Sequence, residues 1–154
     1  MELGLKQHGI EFRVFECLPE LADTAAFCAH YGFAIEQAAN TIITASKTEP
    51  VKFACCIVLG STKLDVNKKV CQLLAVKKAS FANAEQTINL SGMQIGGVTP
   101  FGLSNIPFFI DSAVMEKDEV VMGGGNRSSK VLLKPSELLK LPGAEVVESL
   151  ALVK

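Results

Sequence analysis

The chain has 154 residues, enough for one domain with a sizeable core. Apolar residues make up 49% of it and charged residues 20%, which excludes an intrinsically disordered chain. Fifteen basic residues stand against 16 acidic ones, so the formal net charge of −1 argues against a strongly basic, nonspecific nucleic-acid binder. Any contact with nucleic acid is expected to be local.

The first half of the chain is expected to alternate short helices with strands. The best-marked helix begins after Asp23, which can cap its free amides, and ends at Gly32, which can provide the left-handed stop. Another begins after Asp65, where apolar residues recur every three or four positions. The expected elements are helices at 2–9, 24–31, 34–40 and 66–74 and strands at 11–17, 41–46, 51–60 and 77–82.

The second half is predicted to be richer in strands. Asn83 and Gln86 form a capping-box-like start to a helix that Gly92 can end. After a loop at 93–105, the expected elements are strands at 107–111, 119–123 and 130–134, a short helix at 135–141 and an edge strand at 144–150. These strands read as antiparallel neighbours joined by glycine turns, which favours a mixed α+β fold over a doubly wound parallel sheet. Without an internal repeat or a linker, residues 1–154 are interpreted as a single domain.

The cysteines indicate a reducing compartment. They are five in number, none forms a C-x-x-C pair, and adjacent Cys55 and Cys56 would point to opposite faces of an apolar strand. We therefore expect reduced core thiols in a cytoplasmic protein. The N-terminus does not resemble a signal peptide, and the apolar run FACCIVL is too short to cross a bilayer, so no membrane partner is expected.

Two glycine-rich segments are the most informative motifs. VVMGGGNRSSKVLL (120–133) lacks the P-loop spacing, and Ser128 stands where the dinucleotide fingerprint needs its last glycine. It is either a hairpin whose exposed amides bind an anion, with Arg127 at its tip, or simply a long flexible hairpin. IGGVTPFG (95–102) is a second segment of this kind, and two such loops in a small domain favour a pocket lined by main chain.

Side chains suited to catalysis are scarce. The two histidines, His8 and His30, fall on expected helices, and neither a serine-hydrolase elbow nor a metal-ligand spacing is present, so no metal and no cofactor is expected. Hydrolysis would depend on a positioned water, backbone N–H groups and a lysine or asparagine that orients the acyl group, which suits an activated ester. Five lysines between residues 61 and 80 form either a phosphate-facing patch or the solvated face of a helix.

The order and spacing of IGGVTPFG, PFFID, EVVMGGGNR and LLKPSELLKL resemble the YbaK/prolyl-tRNA synthetase-associated family over roughly residues 20–142. The resemblance implies a mixed, partly barrel-like sheet surrounded by helices. It also implies hydrolysis of the ester that joins a wrong small amino acid to the terminal adenosine of tRNA. The implied partners are the tRNA acceptor end and, in addition, an aminoacyl-tRNA synthetase.

The resemblance also assigns site residues. The aminoacyl pocket is implied to lie between the two glycine loops, with residues near the helix that follows Asp65 close by. The implied substrate-binding and catalytic positions are Gly96, Gly97, Pro100 and Gly102 in the first loop, Gly124, Gly125 and Arg127 in the second, and Asp65 and Asn67. Lys130, just after the second loop, is a further expected substrate-binding residue that the resemblance does not assign.

One position departs from the family pattern. Many members have Lys-Thr where this chain has Asn40-Thr41, and that lysine is the residue most closely tied to deacylation. Asn40 can orient a carbonyl or a water but carries no charge. Deacylation then proceeds through backbone and water alone, or through another lysine such as Lys47, Lys63 or Lys130, or is lost.

Three functions follow from this departure. The leading hypothesis is a trans-acting aminoacyl-tRNA deacylase, in which Gly97 backbone stabilises the oxyanion and Asn40 and Thr41 orient the substrate. The first alternative is a non-catalytic module that binds an aminoacyl-adenosine or a similar ligand. The second is a hydrolase for a small ester unrelated to tRNA.

Overall fold

The computed structural model describes residues 9–93, 98–101, 103 and 105–153, so residues 2–8 of the helix expected at 2–9 lie outside them. The described strands are β1 (Arg13–Glu16), β2 (Ala39–Ser46), β3 (Phe53–Leu59), β4 (Thr62–Leu64), β5 (Ala79–Phe81), β6 (Phe108–Asp111), β7 (Val120–Gly123), β8 (Ser129–Leu133), β9 (Glu145–Val147) and β10 (Ala151–Val153). The α-helices are α1 (Thr24–Tyr31), α2 (Cys71–Leu74) and α3 (Ala84–Ser91). A π-helical turn (Val66–Val70) precedes α2, and 3₁₀ turns occupy Pro19–Leu21, Ile35–Gln37, Val114–Glu116 and Pro135–Lys140.

The strands form mixed sheets, which confirms the α+β class. The five-stranded sheet has the order β5-β2-β3-β6-β9, in which β2 is antiparallel to β3 and β5 while the β3–β6 and β6–β9 pairs are parallel. A second sheet, β1-β8-β7, is antiparallel, and β10 pairs with β4. Among the described strands these sheets do not close into a barrel.

The expected run of antiparallel strands in the second half is therefore wrong in part. Only β7 and β8 form an antiparallel hairpin there, whereas β6 and β9 enter the five-stranded sheet in parallel. The expectation assumed that strands adjacent in sequence pair with each other. Instead, the segment that contains the 3₁₀ turn Val114–Glu116 carries the chain from one sheet to the other.

The main core lies between the two larger sheets. Ile43, Cys55 and Ile57 from the five-stranded sheet pack in one cluster with Met122 and Val131 from the three-stranded sheet. Cys56 belongs instead to the cluster on the opposite face, where α2 packs, so the two adjacent thiols do face opposite sides of the strand. On the outer side of the three-stranded sheet, α1 contributes Phe27 and Cys28 to a third cluster.

The helix after Asp65 differs in type from its prediction. Val70 N–H donates to Asp65 O at 3.1 Å, a bond five residues back that widens the first turn into a π-helix. The Asp65 carboxylate still caps this turn by accepting from Lys68 N–H at 3.3 Å. The capping box of α3 is confirmed, with reciprocal bonds between Asn83 and Gln86 at 2.8 and 3.0 Å.

The helix expected at 34–40 is only a 3₁₀ turn, and β2 begins at Ala39. Asn40 therefore lies on a strand rather than at the end of a helix. The short strands β4 and β10 were not predicted, because three residues are too few to establish an alternation. No helix among the described residues is long and apolar enough to cross a membrane.

Candidate functional site

A cleft of about 310 Å³ opens where one edge of β2 approaches the three-stranded sheet. A β-bridge between Ala38 and Val121 joins the two sheets at this point. The cleft is lined by Thr24, Phe27, Ala38, Ala39, Asn40, Thr41, Ile42, Ile43, Phe81, Ala82, Thr87, Val98, Val121, Met122, Gly123 and Lys130.

The sheet register explains why this edge of β2 is accessible. β5 pairs only with Thr44–Ser46. Backbone groups of alternate residues in a strand point to the same edge. On the β5 side of β2, Ile43 O accepts from Ala82 N–H at 2.8 Å, and Lys47 N–H donates to Lys78 O at 3.0 Å. The backbone of Thr41 therefore faces the same edge, beyond the end of β5.

Asn40 is oriented by α1. Its Oδ1 accepts a hydrogen bond from Thr24 Oγ1 at 2.5 Å, and Thr24 opens the helix. No acceptor among the described residues contacts Asn40 Nδ2. With the oxygen occupied, the amide nitrogen is the group that Asn40 can offer to a carbonyl in the cleft.

Thr41 brings a buried hydroxyl to the same cleft. Its Oγ1 has no hydrogen-bond partner among the described residues. A buried polar atom without a partner costs free energy, on the order of 1–3 kcal/mol, unless a ligand or water satisfies it. Because adjacent side chains of a strand point to opposite faces, the Asn40 amide and the Thr41 hydroxyl lie on opposite faces of β2, and a ligand at the open edge would meet the Thr41 backbone between them.

Lys130 is a buried cation in the cleft wall. The residue is 6% exposed, its Nζ donates to Ala22 O at 2.5 Å, and the same atom lies 5.5 Å from the centroid of the Phe27 ring. Burial lowers the pKa of this amine, an effect that Cys17 and Asp23 oppose. Lys130 is thus the lysine that reaches the cleft, whereas Lys47 lies elsewhere and Lys63 is exposed on β4.

The tip of the glycine hairpin is occupied by its own hydrogen bonds. Asn126 Oδ1 accepts from Ser128 N–H, Ser128 Oγ and Ser129 Oγ at 2.9, 3.0 and 3.1 Å. A Cβ on Gly124 would lie 2.6 Å from Ser129 O, so only glycine fits there, and Gly125 has a φ of +96°. These two glycines shape the turn, while Gly123 is the glycine of this run that lines the cleft.

Arg127 does not line the cleft. Its Nε donates to Pro19 O and its guanidinium pairs with the Asp23 carboxylate, both at 3.2 Å. Asp23 consequently makes no side-chain cap on α1, contrary to the sequence prediction. The ion pair ties the hairpin to the start of α1, the helix that also orients Asn40.

The first glycine loop is described only in part. Gly96, Gly97 and Gly102 lie outside the described residues. Val98 lines the cleft, so the loop borders the site, and Pro100 is buried behind it.

Asp65 and Asn67 do not join the other candidates. Neither lines the cleft; Asp65 caps the π-helical turn. Asn67 borders a separate depression of about 300 Å³ with Cys71, Ala79 and three exposed lysines. These lysines are Lys47, Lys77 and Lys78, and we call the surface that they border the lysine depression.

Several cleft residues were not identified from the sequence. Thr24, Phe27, Phe81 and Thr87 come from elements distant along the chain, and none belongs to a recognisable motif. Thr24 as the first residue of α1 was predictable, but its bond to Asn40 depends on how the helix docks.

Thiol and metal chemistry have little support in the described residues. Burial raises the pKa of the Cys17 and Cys28 thiols, although the positive charge of Lys130 opposes this effect. The raised pKa keeps both thiols protonated. No group of three or more His, Cys, Asp or Glu side chains in the described part of the chain is placed to hold a metal ion. The cleft instead offers amide, hydroxyl and ammonium donors.

Comparison with known proteins agrees with this fold. The model of the aminoacyl-tRNA editing domain family matches residues 19–141. The uncharacterized protein YwhH of Bacillus subtilis (strain 168) is 32% identical over 91 residues, which are 58% of this chain and 57% of that protein. The chain thus matches a little over half the length of this curated relative.

Two solved structures share the fold. Hypothetical protein APE2540 superposes with a TM-score of 0.84 at 24% identity, over 96% of both chains. A proposed trans-editing enzyme for prolyl tRNA synthetase superposes with a TM-score of 0.82 at 24% identity, over 96% of this chain and 92% of that one. The family match covers most of the chain, which belongs to the aminoacyl-tRNA editing domain family.

Proposed function

We propose that this protein is a trans-acting deacylase that hydrolyses the ester of a tRNA mischarged with a small amino acid. The observation that carries the proposal is the convergence of Asn40, Thr41 and Lys130 in one cleft of a protein from the editing family. The cleft volume of about 310 Å³ lies at the lower end of the range for ligand pockets, which favours a small aminoacyl group.

The proposed reaction is attack by water on the ester carbonyl carbon. The bond from the carbonyl carbon to the ribose oxygen breaks, the ribose oxygen takes up one proton of the attacking water, the other proton is released to solvent, and the amino acid leaves as its carboxylate. Asn40 Nδ2 and the Thr41 backbone N–H, which faces the open edge of β2, donate to the carbonyl oxygen as it becomes an oxyanion. Donors fixed before the reaction stabilise such charge most effectively in a site that excludes water.

Lys130 contributes the positive charge that Asn40 cannot provide. Its Nζ is fixed by Ala22 O and Phe27, so it acts as a positioned charge in the cleft wall. In this proposal a lysine on β8 supplies the charge that the family lysine supplies from the start of β2. Gly97 backbone remains a proposed further donor to the oxyanion.

The tRNA acceptor end is the proposed partner. The lysine depression would contact its phosphates, because compact exposed ammonium groups suit phosphate binding. Such contacts would be local, as a formal net charge of −1 requires. A synthetase remains a further proposed partner, consistent with the relative described as a trans-editing enzyme for prolyl tRNA synthetase.

A panel of mischarged tRNAs tests the proposal. We expect wild-type protein to release free amino acid, fastest from tRNAs that carry small side chains. Asn40→Ala should slow release about tenfold or more, because one oriented donor is lost. Thr24→Val is the matched variant, since it keeps Asn40 but removes the bond that orients it. Absence of release above buffer across the panel at high enzyme concentration would refute the proposal.

The departure at Asn40 supports one alternative, a module that binds an aminoacyl-adenosine without hydrolysing it. This alternative predicts saturable binding of a non-hydrolysable aminoacyl-adenosine analogue and no turnover of any mischarged tRNA. Asn40→Lys would then introduce turnover, whereas in a working deacylase it would add a second charge to a site that already has Lys130. Assays of wild type, Asn40→Ala and Asn40→Lys in parallel distinguish the deacylase from the binding module.

A further inference from the structure

Phe81 is an exposed aromatic side chain at the mouth of the cleft. All nine phenylalanines lie in the described part of the chain, and Phe81 alone among them is classed as exposed, at 55%. It ends β5 and lines the cleft beside Ala82. A single exposed apolar side chain is ordinary on a protein surface; what distinguishes Phe81 is that its ring also lines the cleft, where it can contact a bound ligand.

The lysine depression lies at the other end of the same short strand. Lys77 and Lys78 precede β5, and Lys47 N–H bonds to Lys78 O at 3.0 Å across the strand pair. With about 3.3 Å per residue along a strand, the backbone of Lys78 lies about 10 Å from that of Phe81. An aromatic surface followed by a basic one is the combination by which proteins bind single-stranded nucleic acid.

We infer that Phe81 stacks against the terminal adenine base of the substrate tRNA and thereby places the 3′-terminal ribose ester in the cleft. The inference rests on the proposed function and adds how the terminal nucleotide is recognised. The preceding nucleotides would follow β5 toward the lysine depression with their phosphates. Phe81 is a positioning residue in this role, since it contacts the base rather than the reacting ester.

Fluorescence provides a direct test, because the chain contains no tryptophan. Phe81→Trp gives a single reporter at the proposed stacking position. We expect saturable quenching by the trinucleotide CCA, and at least tenfold weaker binding of a matched oligonucleotide whose terminal residue lacks its base. Ile88→Trp is the control variant, because Ile88 is 51% exposed on α3 but does not line the cleft. It should not respond.

Deacylation kinetics provide the second measurement. Phe81→Ala should raise KM by about 5- to 150-fold, the range for loss of one base–aromatic stack, with kcat within about threefold. Phe81→Tyr should keep KM close to the wild-type value, because a tyrosine ring can also stack on the base. A purely structural role of Phe81 in β5 does not predict this dependence of KM on an aromatic ring. Equal quenching by CCA and the abasic oligonucleotide, or an unchanged KM in Phe81→Ala, would overturn the inference.

The two proposals fail in different ways. If wild-type protein releases no amino acid but Phe81→Trp responds selectively to CCA, base recognition stands and the deacylase is refuted. If release occurs and Phe81→Ala behaves as wild type, the deacylase stands and the stacking role is refuted.

Discussion

The cleft and the lysine depression both contain lysine, but in two different environments. Lys130 is 6% exposed, held by Ala22 O and placed over Phe27, so its charge is fixed in a poorly hydrated wall. Lys47, Lys77 and Lys78 are exposed around an open depression, where water and salt screen them. A charge of the first kind can stabilise a transition state, whereas charges of the second kind attract a polyanion.

This contrast assigns different kinetic roles to the two regions. Interactions that strengthen only in the transition state appear in kcat, and uniform binding interactions appear in KM. Changes at Lys130 are therefore expected in kcat, and changes in the lysine depression in KM and its dependence on salt.

The largest effect is expected for Lys130→Met. Removal of the buried charge should lower kcat by about 100-fold, the lower end of the range for loss of one preorganised oxyanion-stabilising group, with KM within about threefold. Lys134→Met is the matched control, because Lys134 is exposed just after β8. Circular dichroism and a thermal melt check that the variant folds. An unchanged kcat in a folded Lys130→Met protein would remove the charge from the mechanism.

The pH dependence should separate Lys130 from the exposed lysines. Burial lowers its pKa, so its charge is lost at lower pH than the ordinary lysine range near 10.4. If protonated Lys130 is needed, kcat falls as pH rises through this lowered value. Stability runs the opposite way, since between the two pKa values the unfolded chain binds the additional proton and folding strengthens with pH.

Lys130→Arg is the variant that checks this pH assignment. An arginine stays charged throughout, so the alkaline decline of kcat should disappear even if the rate at neutral pH is reduced. The rate of release without enzyme, which rises with pH, is subtracted at each point. A decline that persists in Lys130→Arg would assign the ionisation to another group.

Much of the fold could be predicted, because it depends on local signals. The capping box of α3, the stop at Gly32 and the apolar run that forms β3 are short-range patterns, and the structure has all three. The pairing of β6 with β3 and of β9 with β6 was not predictable in this way. It depends on which non-adjacent strands meet, and no local residue pattern records that choice.

The candidate site was likewise predictable only in part. Asn40, Thr41 and Lys130 were named from the sequence, and they do line one cleft. Asp65 was also named but does not line this cleft, because its carboxylate accepts from Lys68 N–H and caps the π-helical turn. Phe81 was not identified, because an aromatic residue in a short strand has the same local pattern whether it faces the core or solvent.

Neutralising part of the lysine depression should have a moderate effect on binding. In Lys77→Gln/Lys78→Gln the slope of log affinity against log salt should decrease by about 1.4, at roughly 0.7 for each phosphate contact with a single strand. KM should rise at low salt, while kcat stays within about twofold. Lys117→Gln/Lys134→Gln removes the same net charge at positions outside both regions and should leave the slope unchanged. Equal effects of the two pairs would mean that only net charge matters.

The smallest effect is expected for Arg127→Gln, where the sequence and the structure suggest different roles. The sequence resemblance places Arg127 against the substrate, whereas the structure pairs it with Asp23 and Pro19 O outside the cleft lining. If its role is to hold the hairpin against α1, the variant loses an exposed ion pair worth about 0–1 kcal/mol, and Tm falls by a few degrees at most. Asp23→Asn should then give an equal or smaller loss, since it leaves the bond from Arg127 Nε to Pro19 O, and the double variant should lose little more than Arg127→Gln alone, because the ion pair is already gone. A KM raised tenfold in Arg127→Gln but not in Asp23→Asn would instead show that the guanidinium leaves Asp23 to bind the tRNA.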